Sequence, residues 1–473
     1  MPKHDIFYGQ EFHSEANQIR KDAKNIYNRL KSIEEDSAFV QELSDLFPKY
    51  ALAANERCGA WYIRPTNRSV YSVYFKSTDG HTGQWDFNLR RNNLHLIDVI
   101  AKHEGCIIVD STRRGKRLPD ALSKTIPIWC CTINRAIDRY RKSVELDDQA
   151  NSMTWDTRFH SPPTVVSKSE HAQIEEKIDM FAQRLLDSGI AMEPLSRALK
   201  KPLRPMWFTP HSSLFLDDFP QFEDAEFWPV ICLSASQAVE TGCQARQGYL
   251  YVQGSADDQE SWCLGLTRQM FWKYYDELLH AHSPVECEEK VKRIVQDELR
   301  LQNHETATEA DDVDIDYNCI GNTGITVGNR FCGKPPFCWE QFDAVINCGP
   351  TEYSENKQEK YQNKYLYLPI PEGKKGQYAF FESISPALTF AAPFLKEKKQ
   401  ILIYCNKGQD TSIGIALAIL VKYYDAEENF KPEGAGYVDK KRIQQQLLKI
   451  ISSRHKASPS RATLKKVNTY FMS

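Results

Sequence analysis

Apolar residues recur at helical spacing over residues 14–47. Ile19, Ala23, Ile26, Leu30 and Ile33 share one face behind a capping Ser14, which predicts a packing helix. Residues 60–120 change period. Trp61-Tyr62-Ile63 and Val70 to Phe75 are rich in aromatic and β-branched residues and predict strands. A polar turn from Lys76 to Gly83 follows, then a helical stretch from Asn92 to His103, then an apolar run, Cys106-Ile107-Ile108-Val109. Strands alternating with helices predict an α/β sheet. Residues 145–225 hold Pro-rich loops and one predicted helix, Ser169 to Ser188. Trp228 to Leu233 and Tyr249 to Val252 predict further strands. No internal repeat interrupts this order.

The pattern resets after residues 302–316, which carry six acidic side chains and no basic one. Such a stretch reads as a solvated linker. Beyond it, Phe342 to Cys348, Tyr365 to Ile370 and Ile401 to Tyr404 predict strands, while Tyr378 to Leu395 and Ser412 to Tyr423 predict helices. The expected organisation is an N-terminal α/β domain over 1–301, a linker over 302–317 and a second α/β domain over 318–473, with a central, mostly parallel sheet and a basic helical tail. A chain of 473 residues suits two or three domains, and 41% apolar residues suffice for a sizeable core.

The net charge of −3 hides any nucleic-acid binder in the total. The distribution does not: from Lys431 onward ten Lys and Arg stand against two acids, a pattern that suits an RNA backbone as well as a solvated helix face. The start lacks an apolar signal core, and no run approaches the roughly 20 apolar residues of a membrane span. The 13 cysteines are scattered without Cys-x-x-Cys spacing, so reduced thiols in the cytosol or nucleus are expected, with the cytoplasm the expected location. Cys332 and Cys338 are too isolated to argue for zinc.

Two loops carry candidate chemistry. The first runs Asp110-Ser111-Thr112-Arg113-Arg114-Gly115-Lys116-Arg117. A strand ending in an acid, then hydroxyls, then a cluster of cations suits a phosphorylated sugar: amides, hydroxyls and guanidinium forks engage phosphate oxygens, and the acid can hold ribose hydroxyls or magnesium. Phosphoribosyl transferases use this logic, although the spacing departs from their usual signature. The bland alternative is a basic surface turn with a structural aspartate.

The second loop is Cys405-Asn406-Lys407-Gly408-Gln409-Asp410-Thr411-Ser412. With Val345-Ile346-Asn347-Cys348 and Leu368-Pro369-Ile370, it resembles the phosphate loop of dual-specificity phosphatases, over residues 318–425. In that family a cysteine thiolate attacks phosphorus and an arginine six residues later clamps the phosphate. Here Thr411 stands at the arginine position and Tyr404 at the usual preceding histidine. Loss of the bidentate partner removes several kcal/mol of transition-state stabilisation, and Glu372, near the usual general-acid position, does not restore it. The loop keeps amides at a helix N-terminus for a phosphate of substrate or RNA; the alternative is a structural turn.

Longer runs carry a family resemblance: Phe75 to Thr82, Phe87 to Leu96, Val109 to Lys124, Pro127 to Cys130, Tyr251 to Gly254, Leu368 to Lys374 and Ser460 to Leu464. In these the chain resembles the initiator-tRNA 2′-O-ribosyl phosphate transferases. The resemblance implies a pentosyltransferase that uses phosphoribosyl pyrophosphate to modify adenosine 64 in the T-stem of initiator methionine tRNA, marking it against elongation. It also implies a phosphatase-like C-terminal domain.

Such a reaction displaces diphosphate from an anomeric carbon that gains oxocarbenium character. Magnesium with Arg113, Arg114, Lys116 or Arg117 is expected to neutralise the leaving group. Asp79, His81 and Asp110 are the candidate bases or acceptors for the 2′-hydroxyl. Lys76, Ser77 and Thr78 of the 76–83 turn, with Arg90, Ser111, Thr112 and Gly115, complete the candidate substrate contacts, the 405–412 loop being the other possible phosphate cradle. Asp79-Gly80 can equally be a tight turn, and His81 a structural residue. Duplex RNA is read through phosphates and 2′-hydroxyls, and Lys200, Lys201, Arg204, Arg461, Lys465 and Lys466 are the candidate backbone contacts. A dual-specificity-type phosphatase and a non-catalytic tRNA-binding protein are the competing readings.

Overall fold

The computed structural model describes residues 21–472 apart from Arg57, Asn67, Arg114, 145–154, 213–221, Glu223, 305–314 and Ala426. The expected cap Ser14, the candidate Arg114 and most of the acidic stretch lie outside the described residues. Contacts divide the chain into two compact units, 1–186 with 191–308, and 187–190 with 309–473. The fold is α/β in both.

The first unit is built on a parallel sheet of β1 (Ala51–Asn55), β2 (Val70–Val73), β3 (Cys106–Asp110), β4 (Leu203–Phe208) and β5 (Trp228–Ser234), in the order β2-β1-β3-β5-β4. A hairpin of β6 (Cys243–Arg246) and β7 (Tyr249–Val252) stands apart from it. Strands β3 and β5 are buried along their whole length, which explains their unbroken apolar sequences: a central parallel strand is covered on both faces. One face packs Ile107, Val109, Ile231 and Leu233 against Leu30, Ile33 and Leu43 of the helix Ile26–Leu46. At about 1.5–3 kcal/mol for each fully buried large aliphatic side chain, this face anchors the strands whose ends carry the loops.

The structure changes several expected elements. Trp61 and Tyr62 belong to a 3-10 turn, Gly59–Tyr62, not to a strand. Their aromatic character serves packing, with Trp61 5.3 Å from Trp262 and 6.2 Å from Phe271 between ring centroids. The helix expected from Asn92 begins at His95. Strands β1 and β4 and the helix Ile126–Ser143 appear where no element was expected.

The second unit holds β8 (Tyr317–Cys319), β9 (Ile325–Gly328), β10 (Ala344–Asn347), β11 (Tyr365–Tyr367) and β12 (Ile401–Tyr404), in the order β11-β10-β12-β9-β8. All pairings are parallel except the edge pair β8–β9. The helix Thr411–Tyr423 is buried through Ile413 to Val421 and forms the spine of this core. All 13 cysteines are free thiols. Among the described residues no helix is long and apolar enough to cross a membrane.

Candidate functional site

In the first unit the chain passes from β1 to β2 on one side and reaches β3 on the other, so β1 and β3 flank a topological switch point. In open parallel sheets ligands settle beyond the carboxyl ends of the strands at such a point. Asn55 ends β1 and Asp110 ends β3. Asn55 Nδ2 donates to Asp110 Oδ2 at 2.8 Å, while the Cys58 thiol and the Ser111 amide donate to Oδ1 at 3.1 and 2.8 Å. Asp110 has no exposure to solvent. The expectation of a substrate-facing acid at this position therefore meets a carboxylate that ties strand ends together. Ser111 is also buried and shares a 2.7 Å hydrogen bond with Ser236, which donates to the buried Asp36. Burial pushes the Asp36 carboxyl well above the usual range, against the bonds from Ser236 and Tyr251.

This buried network leaves the loop beyond it to face solvent. Gln253 Nε2 donates to the carbonyls of Arg113 and Lys116, at 3.2 and 2.8 Å. Gly254, at φ +68°, lies so close that a Cβ there would sit 2.8 Å from the Thr112 carbonyl oxygen. The Tyr251-to-Gly254 run thus clamps the loop. Arg113 is drawn to this side, pairing with Asp257 at 3.0 Å and Asp258 at 2.7 Å.

On the other side a cavity of about 670 Å³ opens between the two runs singled out in the sequence. His81 and Thr82 line it from the 76–83 turn, Gly115, Lys116, Arg117 and Leu118 from the β3 loop, and Asp120, Lys124, Thr164 and Val165 complete it. The turn is a 3-10 segment, Ser77–Gly80. A Cβ on Gly80 would lie 2.7 Å from the Asp120 carbonyl oxygen, so this contact needs glycine. Lys76 and Thr78 are exposed and Ser77 half-buried. Asp79 faces away from the cavity's chemistry: both its oxygens accept from Arg91, at 2.8 to 3.0 Å. Burial raises the Asp79 carboxyl even against that guanidinium. Arg90 is half-buried on the turn Leu89–Arg91.

The cavity's charges are arranged around Asp120. It accepts from Lys116 Nζ at 2.5 Å and Lys124 Nζ at 3.1 Å, with His81 Nε2 3.7 Å away. Lys124 is nearly buried and also reaches Glu170 at 3.1 Å, which accepts from Thr82 and Trp85 as well. Burial works to raise the Asp120 carboxyl, but the two lysines outweigh it and hold it below the usual range. With Arg117 added, cations outnumber carboxylates, which suits a polyanionic ligand. Asp120 and Lys124 lie inside the Val109-to-Lys124 run but carried no expected role; their i,i+4 spacing, with Lys116 four residues before Asp120, was the available signal.

The second unit holds a smaller cavity, about 250 Å³, at the end of β12. Cys348, Ile370, Glu372, Cys405, Asn406, Lys407 and Thr411 are among its lining. Cys405 Sγ lies 3.1 Å from Ser412 Oγ. Burial disfavours the thiolate, yet bonds led by those from the Ser412 hydroxyl and amide, with the Asp410 amide, outweigh it and lower the thiol. Gly408 takes φ +63° and its carbonyl accepts from the fully buried Arg454 at 2.8 Å. Arg454 is paired in turn with Asp316 at 2.8 Å, so it braces the loop from behind. Thr411 turns its hydroxyl to the Cys348 carbonyl, Asp410 accepts from Ser460 and Thr463, and Glu372 accepts from Asn406. The cavity keeps a thiol nucleophile's surroundings and lacks an arginine to hold a phosphoryl group.

Comparison with known proteins decides the family. Residues 19–296 match the Rit1 N-terminal domain and residues 364–471 the Rit1 DUSP-like domain. The chain belongs to the Rit1 family. It is 33% identical over 492 residues to the tRNA A64-2′-O-ribosylphosphate transferase of Saccharomyces cerevisiae, covering 96% of this chain and 93% of that one. It is 35% identical to an uncharacterized protein of Schizosaccharomyces pombe, covering 96% of each. Among solved structures, human DUSP28 is 12% identical and covers 34% of this chain and 97% of its own, with a TM-score of 0.27. The Yvh1 phosphatase domain of Chaetomium thermophilum is 15% identical and covers 33% and 95%, also at 0.27.

The candidate RNA contacts fall into two groups. Lys200, Arg461 and Lys465 are exposed. Lys201 donates to the Ala225 carbonyl at 2.7 Å, Arg204 pairs with Asp156 and stacks 4.7 Å from the Phe227 ring, and Lys466 lies over Phe381 at 5.2 Å. The second group is engaged within the protein.

Proposed function

We propose that this Rit1-family chain is a pentosyltransferase that moves a 5-phosphoribosyl group from phosphoribosyl pyrophosphate to the 2′-hydroxyl of adenosine 64 in initiator methionine tRNA, in the cytoplasm, marking that tRNA against elongation. The single observation that carries this is the near full-length likeness to a tRNA A64-2′-O-ribosylphosphate transferase. The cation-rich cavity beyond β3 supports it, because diphosphate is the leaving group and its charge must be met. Lys116 and Arg117 are the proposed diphosphate contacts, with Lys76, Ser77, Thr78 and Thr112 nearby on the same two loops. Lys200, Arg461 and Lys465 are the proposed tRNA contacts.

Magnesium is proposed as a companion of the donor. Among the described residues no group of three or more His, Cys, Asp or Glu converges to hold a metal. Magnesium commonly rides on substrate phosphates with one or two carboxylates.

The test is transfer itself. Folded protein, magnesium, labelled phosphoribosyl pyrophosphate and initiator tRNA should yield a T-stem adenosine heavier by one phosphoribosyl group on nucleoside mass analysis, and elongator tRNA should not. An unmodified initiator tRNA overturns the proposal. The lowered Cys405 thiol favours a phosphatase as the second reading; hydrolysis of an aryl phosphate that is lost in Cys405→Ser would establish it.

A further inference from the structure

The transfer proposed above requires a group to receive the proton of the acceptor hydroxyl, and the three acids and bases expected from the sequence do not all reach the cavity. Asp79 has both oxygens in its pair with Arg91. Asp110 has no exposure and accepts from Asn55, Cys58 and the Ser111 amide. Among the described residues that line the cavity, Asp120 is the one carboxylate. It faces His81 and both lysines.

We infer that Asp120 is a catalytic residue of this site, the carboxylate that receives the proton of the acceptor ribose 2′-hydroxyl; this rests on the proposed transfer. The bond from the acceptor oxygen to the donor's anomeric carbon forms as the bond from that carbon to diphosphate breaks. Diphosphate leaves with the electron pair, and the acceptor proton passes to Asp120. No oxidant or further co-reactant enters.

The geometry supplies a reason for this acid to wait for its donor. Lys116 Nζ lies on Asp120 Oδ2, the same oxygen that faces His81. Lys116 is half exposed on a flexible four-carbon stem, whereas Lys124 is fixed between Asp120 and Glu170. An arriving diphosphate competes for Lys116, since charge-assisted contacts to phosphate match those to carboxylate. Movement of Lys116 onto the donor leaves Oδ2 open to the acceptor hydroxyl, while Lys124 keeps the carboxylate in place. Donor binding thus prepares the base. His81, 3.7 Å from the same oxygen, is positioned to orient the acceptor or relay its proton.

The experiment measures three quantities on full-length wild type, Asp120→Asn and Asp120→Glu: affinity for phosphoribosyl pyrophosphate by calorimetry, affinity for initiator tRNA, and single-turnover transfer across pH. Asp120→Asn should slow transfer by about 10²–10⁴-fold, the usual contribution of a positioned base, and flatten the acid limb of the pH profile. Both affinities should stay within a few-fold of wild type. Asp120→Glu should fall between the two. Transfer within threefold of wild type in Asp120→Asn overturns the inference, as does loss of donor affinity equal to the loss of rate, which would make Asp120 only an anchor for Lys116. If Asp120→Asn does not fold, a folded Asp120→Glu that keeps the wild-type rate and profile overturns it as well. Absence of transfer by folded wild type with both substrates bound is a different result and removes the transferase reading itself.

Discussion

Residues 111–118 leave the carboxyl end of β3 and residues 405–410 leave that of β12, each strand buried in a mostly parallel sheet. The two loops occupy comparable places in their units and differ in what faces the ligand. Beyond β3 the strand-end acid is buried as a tie, and the exposed cations Lys116 and Arg117 line a cavity of about 670 Å³. Beyond β12 the strand end is a thiol at the floor of a cavity of about 250 Å³, and the buried cation Arg454 points to Asp316 and a loop carbonyl. Both loops run into helices, one beginning at Asp120 and continuing through Ala121–Thr125 into Ile126–Ser143, the other being Thr411–Tyr423. The comparison teaches that similar strand-end loops can present different chemistry: cations held by neighbouring carboxylates beyond β3, and a hydrogen-bonded thiol beyond β12.

The strongest way to break this contrast is to remove the fixed cation of the first site. Lys124→Met should destabilise the first unit by about 3–5 kcal/mol, the usual cost of breaking a buried pair from one side, because Asp120 and Glu170 lose their shared partner. Thermal or urea unfolding measures it, and a change below about 1 kcal/mol would mean the pairing holds little.

A smaller effect sharpens the role of the clamp. Gly254→Ala must place a Cβ against the Thr112 carbonyl at positive φ, a strain of about 1–3 kcal/mol. Lower stability together with a raised donor KM is expected. Unchanged donor kinetics would separate the clamp from the site.

The smallest effect concerns the second loop. A lowered thiol ionises at a lower pH than an ordinary one, so alkylation of Cys405 should rise as pH climbs through that depressed value. Ser412→Ala removes one donor to the sulfur and should move the profile upward in pH. A Cys405 profile matching an unperturbed thiol would contradict the hydrogen-bond arrangement.

Much of the fold is legible in sequence where burial on both faces writes an unbroken apolar run, as in β3, β5 and β12. It is illegible where composition serves two masters. Ala51 to Asn55 lacks the β-branched residues that flag a strand, yet sits in the sheet between β2 and β3. Leu203 to Phe208 contains Pro205, which a strand tolerates here because β4 is an edge. Trp61 and Tyr62 look like strand residues and pack as a turn. The two runs that line the cavity, 76–83 and 110–117, stand out by charge and turn residues. Their convergence on Asp120 and Lys124 does not, because it depends on the Glu170 helix folding back across more than forty residues, at 3.1 Å from Lys124. The direction of Arg113 toward Asp257 and Asp258 is likewise a long-range choice.

The most direct measurement is donor affinity, by calorimetry with phosphoribosyl pyrophosphate and magnesium, of wild type, the double variant Lys116→Ala with Arg117→Ala, and Cys405→Ser. The double variant should bind the donor about 10²-fold more weakly or worse, as expected for lost charge-assisted contacts to phosphate, while Cys405→Ser binds it as wild type does and transfers at a comparable rate. Wild-type donor affinity in the double variant, with the loss appearing in Cys405→Ser, would place the donor at the β12 loop and contradict the assignment of the β3 cavity.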